Sequence, residues 1–344
     1  PRYLRWIRAL LRVVPSLYRE FRRDGLSLTW FVLPEAYVIG GLVACAARLS
    51  GPMIMSRRSL NNYQLNHPSI GRLERWLHHR LFLILGNSQA VVRQLTDEEG
   101  VPRNRLRLIY NGVNSGLFEP ARERDAIRAS LNISPDAFVM IMVANLIPYK
   151  GHRDLVEALA LAREHLSRGW RLLCVGVGEK YKRELVAFAE ERGLERHILW
   201  LGERCDVEDL LNAADLGLLT SHQEGFSNAL LEGMAAGLPM VVTDVGGNRE
   251  AMVHGETGYM VASNAPKALA EAIVDLSGDQ QKRRRFGDAA RSRVRNAFSI
   301  DACVDQYHRL FSAVVEGRIP PACEDLTLEP VATAGIEDRS SCAG

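Results

Sequence analysis

Residues 216–242 read Leu-Gly-Leu-Leu-Thr-Ser-His-Gln-Glu-Gly-Phe-Ser-Asn-Ala-Leu-Leu-Glu-Gly-Met-Ala-Ala-Gly-Leu-Pro-Met-Val-Val. Two short apolar runs, Leu216 to Leu219 and Met240 to Val242, flank a stretch from Ala229 to Ala236 with helical character. Short apolar strands joined by a helix are expected to lie parallel and to be buried on both faces. Working outward, the same alternation continues upstream. Strands are expected at Phe138 to Val143, Leu172 to Val175 and Ile198 to Leu201, with helices at Arg153 to His165, Tyr181 to Arg192 and Val207 to Ala213. This is an α/β pattern, and a ligand belongs in the crevice beyond the carboxyl ends of the strands.

Upstream of this domain the pattern is thinner. Strands are expected at Thr29 to Val32, Met53 to Met55, Phe82 to Leu85 and Arg107 to Tyr110. Helices are expected near Tyr37 to Arg48 and from Leu73 to beyond Leu77, with Ser88 capping one that runs to Glu99. The chain begins in helix, with Trp6, Leu10, Val14, Leu17 and Phe21 on one side, and Pro15 is expected to bend or interrupt it. Asn114 to Arg124, with Gly116 and Pro120, reads as a hinge. Helices at Pro266 to Leu276, Lys282 to Asn296 and Asp301 to Glu316 follow the second domain. The division is 1–120, an N-terminal Rossmann-like domain lacking its first units; 121–300, a second Rossmann-like domain; 301–318, a helix returning to the first domain; and 319–344, a flexible tail.

At 344 residues and 47% hydrophobic, the chain can build two cores, which excludes a disordered or fibrous protein. The net charge of +2 gives no case for nucleic acid. The charge is uneven, with seven arginines before Asp24 against the single Glu20, so the start of the chain could face an anionic membrane surface. Six scattered cysteines without metal-ligand spacing fit a reducing compartment. No apolar run approaches the ~18 residues of a spanning helix, and the start lacks a signal-peptide pattern. The expectation is a cytoplasmic protein, peripheral on the inner membrane's cytoplasmic face.

Three turns carry candidate chemistry. In the first, Asn145 to His152, a strand feeds a helix, and Lys150 with the free N–H groups of that helix start would suit phosphate. Gly176 and Gly178 leave room for a ligand beside it. In the second, Glu224 lies in a loop, and Glu232 shares an i,i+4 face with Asn228 in the next helix. Two carboxylates there suit a ligand rich in hydroxyls. In the third, Gly246 and Gly247 expose backbone N–H groups, and Glu250 would point back to the crevice.

From Arg107 to Ala297 the chain resembles the retaining GT-B glycosyltransferases of family 4. The resemblance rests on Ile109-Tyr-Asn-Gly-Val113, Lys150-Gly151, Asp215, Glu224-Gly-Phe-Ser-Asn228 with Glu232, Gly237-Leu-Pro239, Gly246-Gly247 with Glu250, and His254-Gly-Glu-Thr-Gly258. A weaker likeness extends it to roughly residues 25 to 318. The resemblance implies two facing Rossmann-like domains, the first incomplete, and a nucleotide-sugar donor, UDP- or GDP-linked, used without metal or other cofactor. It implies that Lys150 holds the donor diphosphate, Glu224 accepts hydrogen bonds from the transferred sugar, and Glu232 binds the ribose. The backbone of Phe226, Ser227 and Asn228, with Asn145, Gly178, Gly246, Gly247 and Glu250, would complete the donor site.

The likeness departs from the family at three places. Asn145 stands where an arginine is usual, Arg57 or Arg58 stands where the acceptor domain commonly has a histidine, and the family's opening strand and glycine-rich loop have no counterpart. Arg58 is therefore placed with Glu224 and Lys150 among the catalytic candidates. The acceptor expected is a growing cell-surface glycan or lipid-linked saccharide. The rival from another class is a non-catalytic relative that binds carbohydrate or a partner protein. A nicotinamide enzyme is excluded, since no GxGxxG opens a βαβ unit.

Overall fold

The computed structural model describes residues 2–23, 25–118 and 123–318; Pro120 of the expected hinge and the expected tail over 319–344 lie outside the described residues. The first half runs α1 (Arg2–Phe21), β1 (Thr29–Phe31), α2 (Pro34–Ala47), β2 (Met53–Arg57), α3 (Tyr63–Asn66), α4 (Pro68–His78), β3 (Leu83–Gly86), α5 (Gln89–Asp97) and β4 (Leu106–Leu108). Its four strands are all parallel, in the order β1-β2-β3-β4. The period-2 rule assigns the two faces. Met55, Ile84 and Leu106 pack with Tyr37 and Leu77 under α2 and α4, while Ile54, Leu83 and Leu85 turn the other way.

Pro15 does not interrupt the first helix: α1 is continuous through it. Proline withholds the N–H that Leu11's carbonyl would accept, and Leu11 is 70% exposed, so water can replace that bond. Val14, Leu17 and Phe21 lie against the first-half core as the spacing predicts. The side chain of Trp6 lies outside the described residues.

The second half runs α6 (Arg124–Ser130), β5 (Val139–Val143), α7 (His152–Ala162), β6 (Arg171–Val175), α8 (Glu179–Glu191), β7 (Ile198–Gly202), α9 (Val207–Ala213), β8 (Leu216–Leu219), α10 (Asn228–Ala235), β9 (Met240–Thr243), α11 (Asn248–Ala251), β10 (Gly258–Val261), α12 (Pro266–Gly278) and α13 (Gln280–Ala297). The parallel sheet has the order β10-β9-β8-β5-β6-β7. Val139 and Ile141 point into one core layer and Met140 and Met142 into the other, which is why these strands read as unbroken apolar runs. β10 escaped the sequence reading, being four residues long between two turns. Strand β5 has β6 on one side and β8 on the other, so the strand order reverses at β5, and a crevice is expected beyond the carboxyl ends of the strands there.

The halves are joined by two chain passages lying side by side. Val113 donates to Phe298 O at 2.9 Å and Ile300 donates to Val113 O at 3.0 Å. The last helix, α14 (Ile300–Val315), then lies on the first half. Leu310 and Val314 pack on Ile54, Leu83, Leu85 and Ile109, and Trp30 meets Tyr307 and Phe311 at ring-centroid distances of 5.3 and 5.1 Å. The sequence thus closes back on its first domain, leaving the cleft between the two sheets' carboxyl ends.

Candidate active site

Gly151 begins the assembly of the site. Its φ of 72° is left-handed, and a Cβ there would sit 1.9 Å from Thr220 O, so only glycine lets the loop after β5 lie on the loop after β8. Thr220 Oγ1 spans Lys150 O and Gly151 O at 3.2 and 3.0 Å, and His222 N donates to Tyr149 O at 2.7 Å. This packing brings Lys150 Nζ to 2.6 Å from Glu224 Oε1, and Ser221 Oγ donates to the same oxygen at 2.7 Å. With side chains 19% and 10% exposed, lysine and glutamate form a largely desolvated pair. An arriving diphosphate would compete for the ammonium and free the carboxylate to accept hydroxyls.

Glu232 differs. It lies on α10, half-buried, and its carboxylate has no hydrogen-bond partner among the described residues. Burial raises its pKa, and Glu208 on α9 adds to the rise. An unpartnered, desolvated carboxylate gains from hydroxyl donors, because each oxygen has lone pairs to fill. Ser227 Oγ caps α10 by accepting from Leu230 N at 3.3 Å, so this hydroxyl already serves the helix. The ring of Phe226 is also turned inward, 5.0 Å from Tyr110 and 5.3 Å from Phe298, so only backbone at Phe226 is available to a ligand.

Asn228 is linked across the cleft. Asn111 Nδ2 donates to Asn228 Oδ1 at 2.8 Å and to Phe226 O at 3.1 Å, and Arg58 Nη2 donates to Asn111 Oδ1 at 2.9 Å. A Cβ on Gly225 would lie 2.5 Å from Arg58 O, which sets Arg58 beside the glutamate loop. The two arginines therefore separate: Arg58 is exposed in the cleft, whereas Arg57 is buried against Glu74 and Glu99 at 3.1 and 3.2 Å.

The remaining candidates sit around this centre. Asn145 Oδ1 accepts from Val177 N at 3.3 Å, and Gly178, at a φ of 148°, passes within Cβ-clash range of Leu146 O, so both shape the loops after β5 and β6. Gly246 has a φ of 51°, with a Cβ position 1.8 Å from Glu224 O, and Gly247 N donates to Gly225 O at 3.0 Å. These glycines press the loop after β9 onto the glutamate loop. Glu250 does not aim a free carboxylate into the crevice. Its two oxygens accept from Gln89 N at 2.7 Å and Ala90 N at 3.0 Å, in the other domain.

Sequence reading missed Asn111 as a cross-cleft link, having taken Asn111-Gly112 for a turn, and missed the pairs His222–Asp154, at 2.9 Å, and Asn62–Gln223. His152, at the start of α7, is buried with both ring nitrogens unpartnered; burial and then Lys150 lower its pKa to about 4, so it brings no charge to the site at neutral pH. An arginine-lined cavity of about 750 Å³ lies at the opposite ends of the strands. There Arg124, Arg128, Arg283 and Arg291 bond carbonyls at the ends of α9, α10 and α12. No group of His, Cys, Asp and Glu among the described residues has the arrangement of a metal site.

Two family models match the chain: Glycosyltransferase Family 4 over residues 1–116, and Glycosyl transferases group 1 over residues 123–293. The chain belongs to the family 4, group 1 glycosyltransferases. Its two parallel-sheet Rossmann-like domains make a GT-B fold, as in the Anabaena protein HepE solved with UDP-glucose, which superposes with a TM-score of 0.79 at 24% identity, covering 88% of this chain and 82% of that one. Among curated relatives, N-acetyl-alpha-D-glucosaminyl L-malate synthase of Bacillus anthracis is 28% identical over 72% of this chain and 64% of its own length. D-inositol 3-phosphate glycosyltransferase of Corynebacterium efficiens is 30% identical over 68% of this chain and 58% of its own length. The chain of this family 4 member thus spans about three fifths of these relatives.

Proposed function

We propose that the protein transfers a sugar, with retention at the anomeric carbon, from a UDP-linked donor to a saccharide acceptor. The observation that carries this reading is Glu232, a desolvated carboxylate without a partner, on the helix that starts four residues after the Lys150–Glu224 pair. HepE, of the same fold, binds UDP-glucose, which supports the choice of nucleotide. In the reaction the acceptor oxygen bonds to the anomeric carbon as the bond from that carbon to the diphosphate oxygen breaks. The acceptor proton passes to the leaving phosphate, and nucleoside diphosphate departs. Lys150 and the first N–H groups of α10 stabilise the charge growing on that phosphate, Glu224 holds the sugar's hydroxyls, Glu232 holds the ribose, and Arg58 faces the acceptor side.

Calorimetric titration with UDP, GDP and ADP tests the donor site. UDP is expected to bind, and Glu232→Ala to weaken it at least tenfold; equal affinity in the variant would overturn the assignment. The pH dependence gives a second sign. Ribose recognition needs the carboxylate, so affinity falls as pH drops through the raised pKa of Glu232, above the ordinary 4.5, and Glu232→Gln abolishes that step. Stability runs the other way, because a raised folded pKa means stability is gained as pH falls through it.

The acceptor in this reading is a growing cell-surface glycan or a lipid-linked saccharide, met at the cytoplasmic face of a membrane. Its support is the start of the chain, where α1 carries five arginines and Arg22 and Arg23 follow it, and where Leu11 and Val13 are exposed at 70% and 49%. No helix among the described residues is long and apolar enough to cross a membrane. Replacing Arg2, Arg5, Arg8 and Arg12 by Gln is expected to lower partitioning onto phosphatidylglycerol vesicles at least tenfold; unchanged partitioning would remove the membrane from the reading.

A further inference from the structure

The loop after β9 reaches into both domains. On one side, Gly246 and Gly247 are pressed onto the backbone of Glu224 and Gly225. On the other, the carboxylate of Glu250 accepts Gln89 N and Ala90 N, the first two N–H groups of α5, while Ser88 Oγ takes Val91 N at 3.1 Å. Three N–H groups that the α5 helix cannot satisfy itself are thus satisfied, two of them from the opposite domain. A carboxylate at a helix N-terminus is favoured by the helix dipole as well as by charge-assisted bonds. The segment is also stiff, since buried Arg293 donates to Ala251 O at 2.7 Å and to Glu250 O at 2.9 Å.

We propose that Glu250 is a positioning residue, an interdomain latch that ties closure of the acceptor-side domain to the placement of Glu224. When the domains part, the carboxylate and two N–H groups separate, and the loop that backs Glu224 loses its brace. When they close, α5 seats Glu250, the glycines seat Glu224, and the sugar-binding carboxylate is fixed. The latch rests on the transfer reaction proposed above for its kinetic consequence, though not for its structural one.

The full chain is tested with Glu250→Ala and, on the partner side, with Gln89→Pro. Proline is well tolerated at the first helical position; it removes the N–H that Glu250 Oε2 accepts, together with the glutamine side chain, whose Oε1 accepts from Arg93 on the same helix. Ser88, at φ −155° and ψ 158°, already has the extended geometry that a residue before proline adopts. Amide exchange at Ala90 is expected to quicken at least tenfold in Glu250→Ala, with kcat at least tenfold lower and the Kd for UDP within threefold of wild type. Gln89→Pro should lower kcat in the same sense, and the double variant should be no slower than Glu250→Ala alone. A Kd that rises in step with the loss of kcat would make Glu250 a donor ligand and overturn the latch, as would unchanged exchange at Ala90. If UDP does not bind the wild-type chain, the donor reading fails, while exchange at Ala90 still decides whether the latch exists.

Discussion

Lys150→Ala is expected to lower kcat/KM for UDP-sugar turnover by about 100- to 1000-fold, the loss found when one preorganised donor to developing charge is removed, roughly 3–4 kcal/mol. The ammonium lies 2.6 Å from Glu224 Oε1, so before a donor binds its charge is spent on a carboxylate. A diphosphate carries more charge than one carboxylate and draws the lysine towards it, increasingly so as the bond to the sugar breaks. Alanine has a second effect, leaving Glu224, 10% exposed, beside the diphosphate with Ser221 Oγ but no cation. Like charges then face each other in a poorly solvated site. The Lys150→Ala/Glu224→Gln double variant should therefore lose less than the two single losses added in free energy. Lys150→Arg should recover little, because a planar fork does not replace a compact ammonium in this turn. Steady-state kinetics at saturating acceptor decides it: a Lys150→Ala enzyme keeping more than a third of the wild-type kcat/KM would remove Lys150 from the transition state.

What the sequence disclosed follows from how locally each feature is encoded. β5, β6 and β8 were legible because strands buried on both faces must be apolar throughout, and the Ser88 cap because its hydroxyl acts only three residues away. That Lys150 and Glu224 both lie at the crevice was legible from chain order, since each sits in a loop that follows a strand of the parallel sheet, β5 and β8, but their direct pairing was not. The roles of Asn111 and Glu250 were not legible. Their partners are 117 and 161 residues away, in the other domain, and no local pattern distinguishes a cross-cleft carboxylate from one that waits for a ligand. Gly246 and Gly247 read as ligand-facing, whereas much of their requirement comes from backbone packed against backbone. Arg57 and Arg58 could not be told apart either, because adjacent residues on a strand face opposite ways and nothing nearby states which face is filled.

That pair gives the sharpest contrast between fold and function. Arg57→Leu is expected to cost about 3–5 kcal/mol, a large part of a typical domain's 5–15, because it leaves two buried carboxylates without their cation. Glu74 is fully buried and also takes Tyr63 OH at 2.7 Å; Glu99 is held by Asn61 at 3.3 Å and lies 3.6 Å from His78. His78 brings no compensating charge, since burial and then Arg57 lower its pKa to about 3. Burial pushes the Glu99 pKa up while Arg57 pulls it down, so removing the arginine raises it further and Glu99 takes up a proton. A raised folded pKa adds stability as pH falls through it, and the deficit of Arg57→Leu should accordingly shrink on mild acidification and widen towards pH 8. Arg58→Ala removes only an exposed side chain bonded to Asn111, and its urea midpoint should stay within experimental error of wild type while kcat falls. Urea unfolding of both variants at pH 5.5 and pH 8 tests the assignment. If Arg57→Leu were as stable as wild type, or Arg58→Ala the less stable of the two, the buried ion cluster would not be what holds β2 and the following loop in place beneath the cleft.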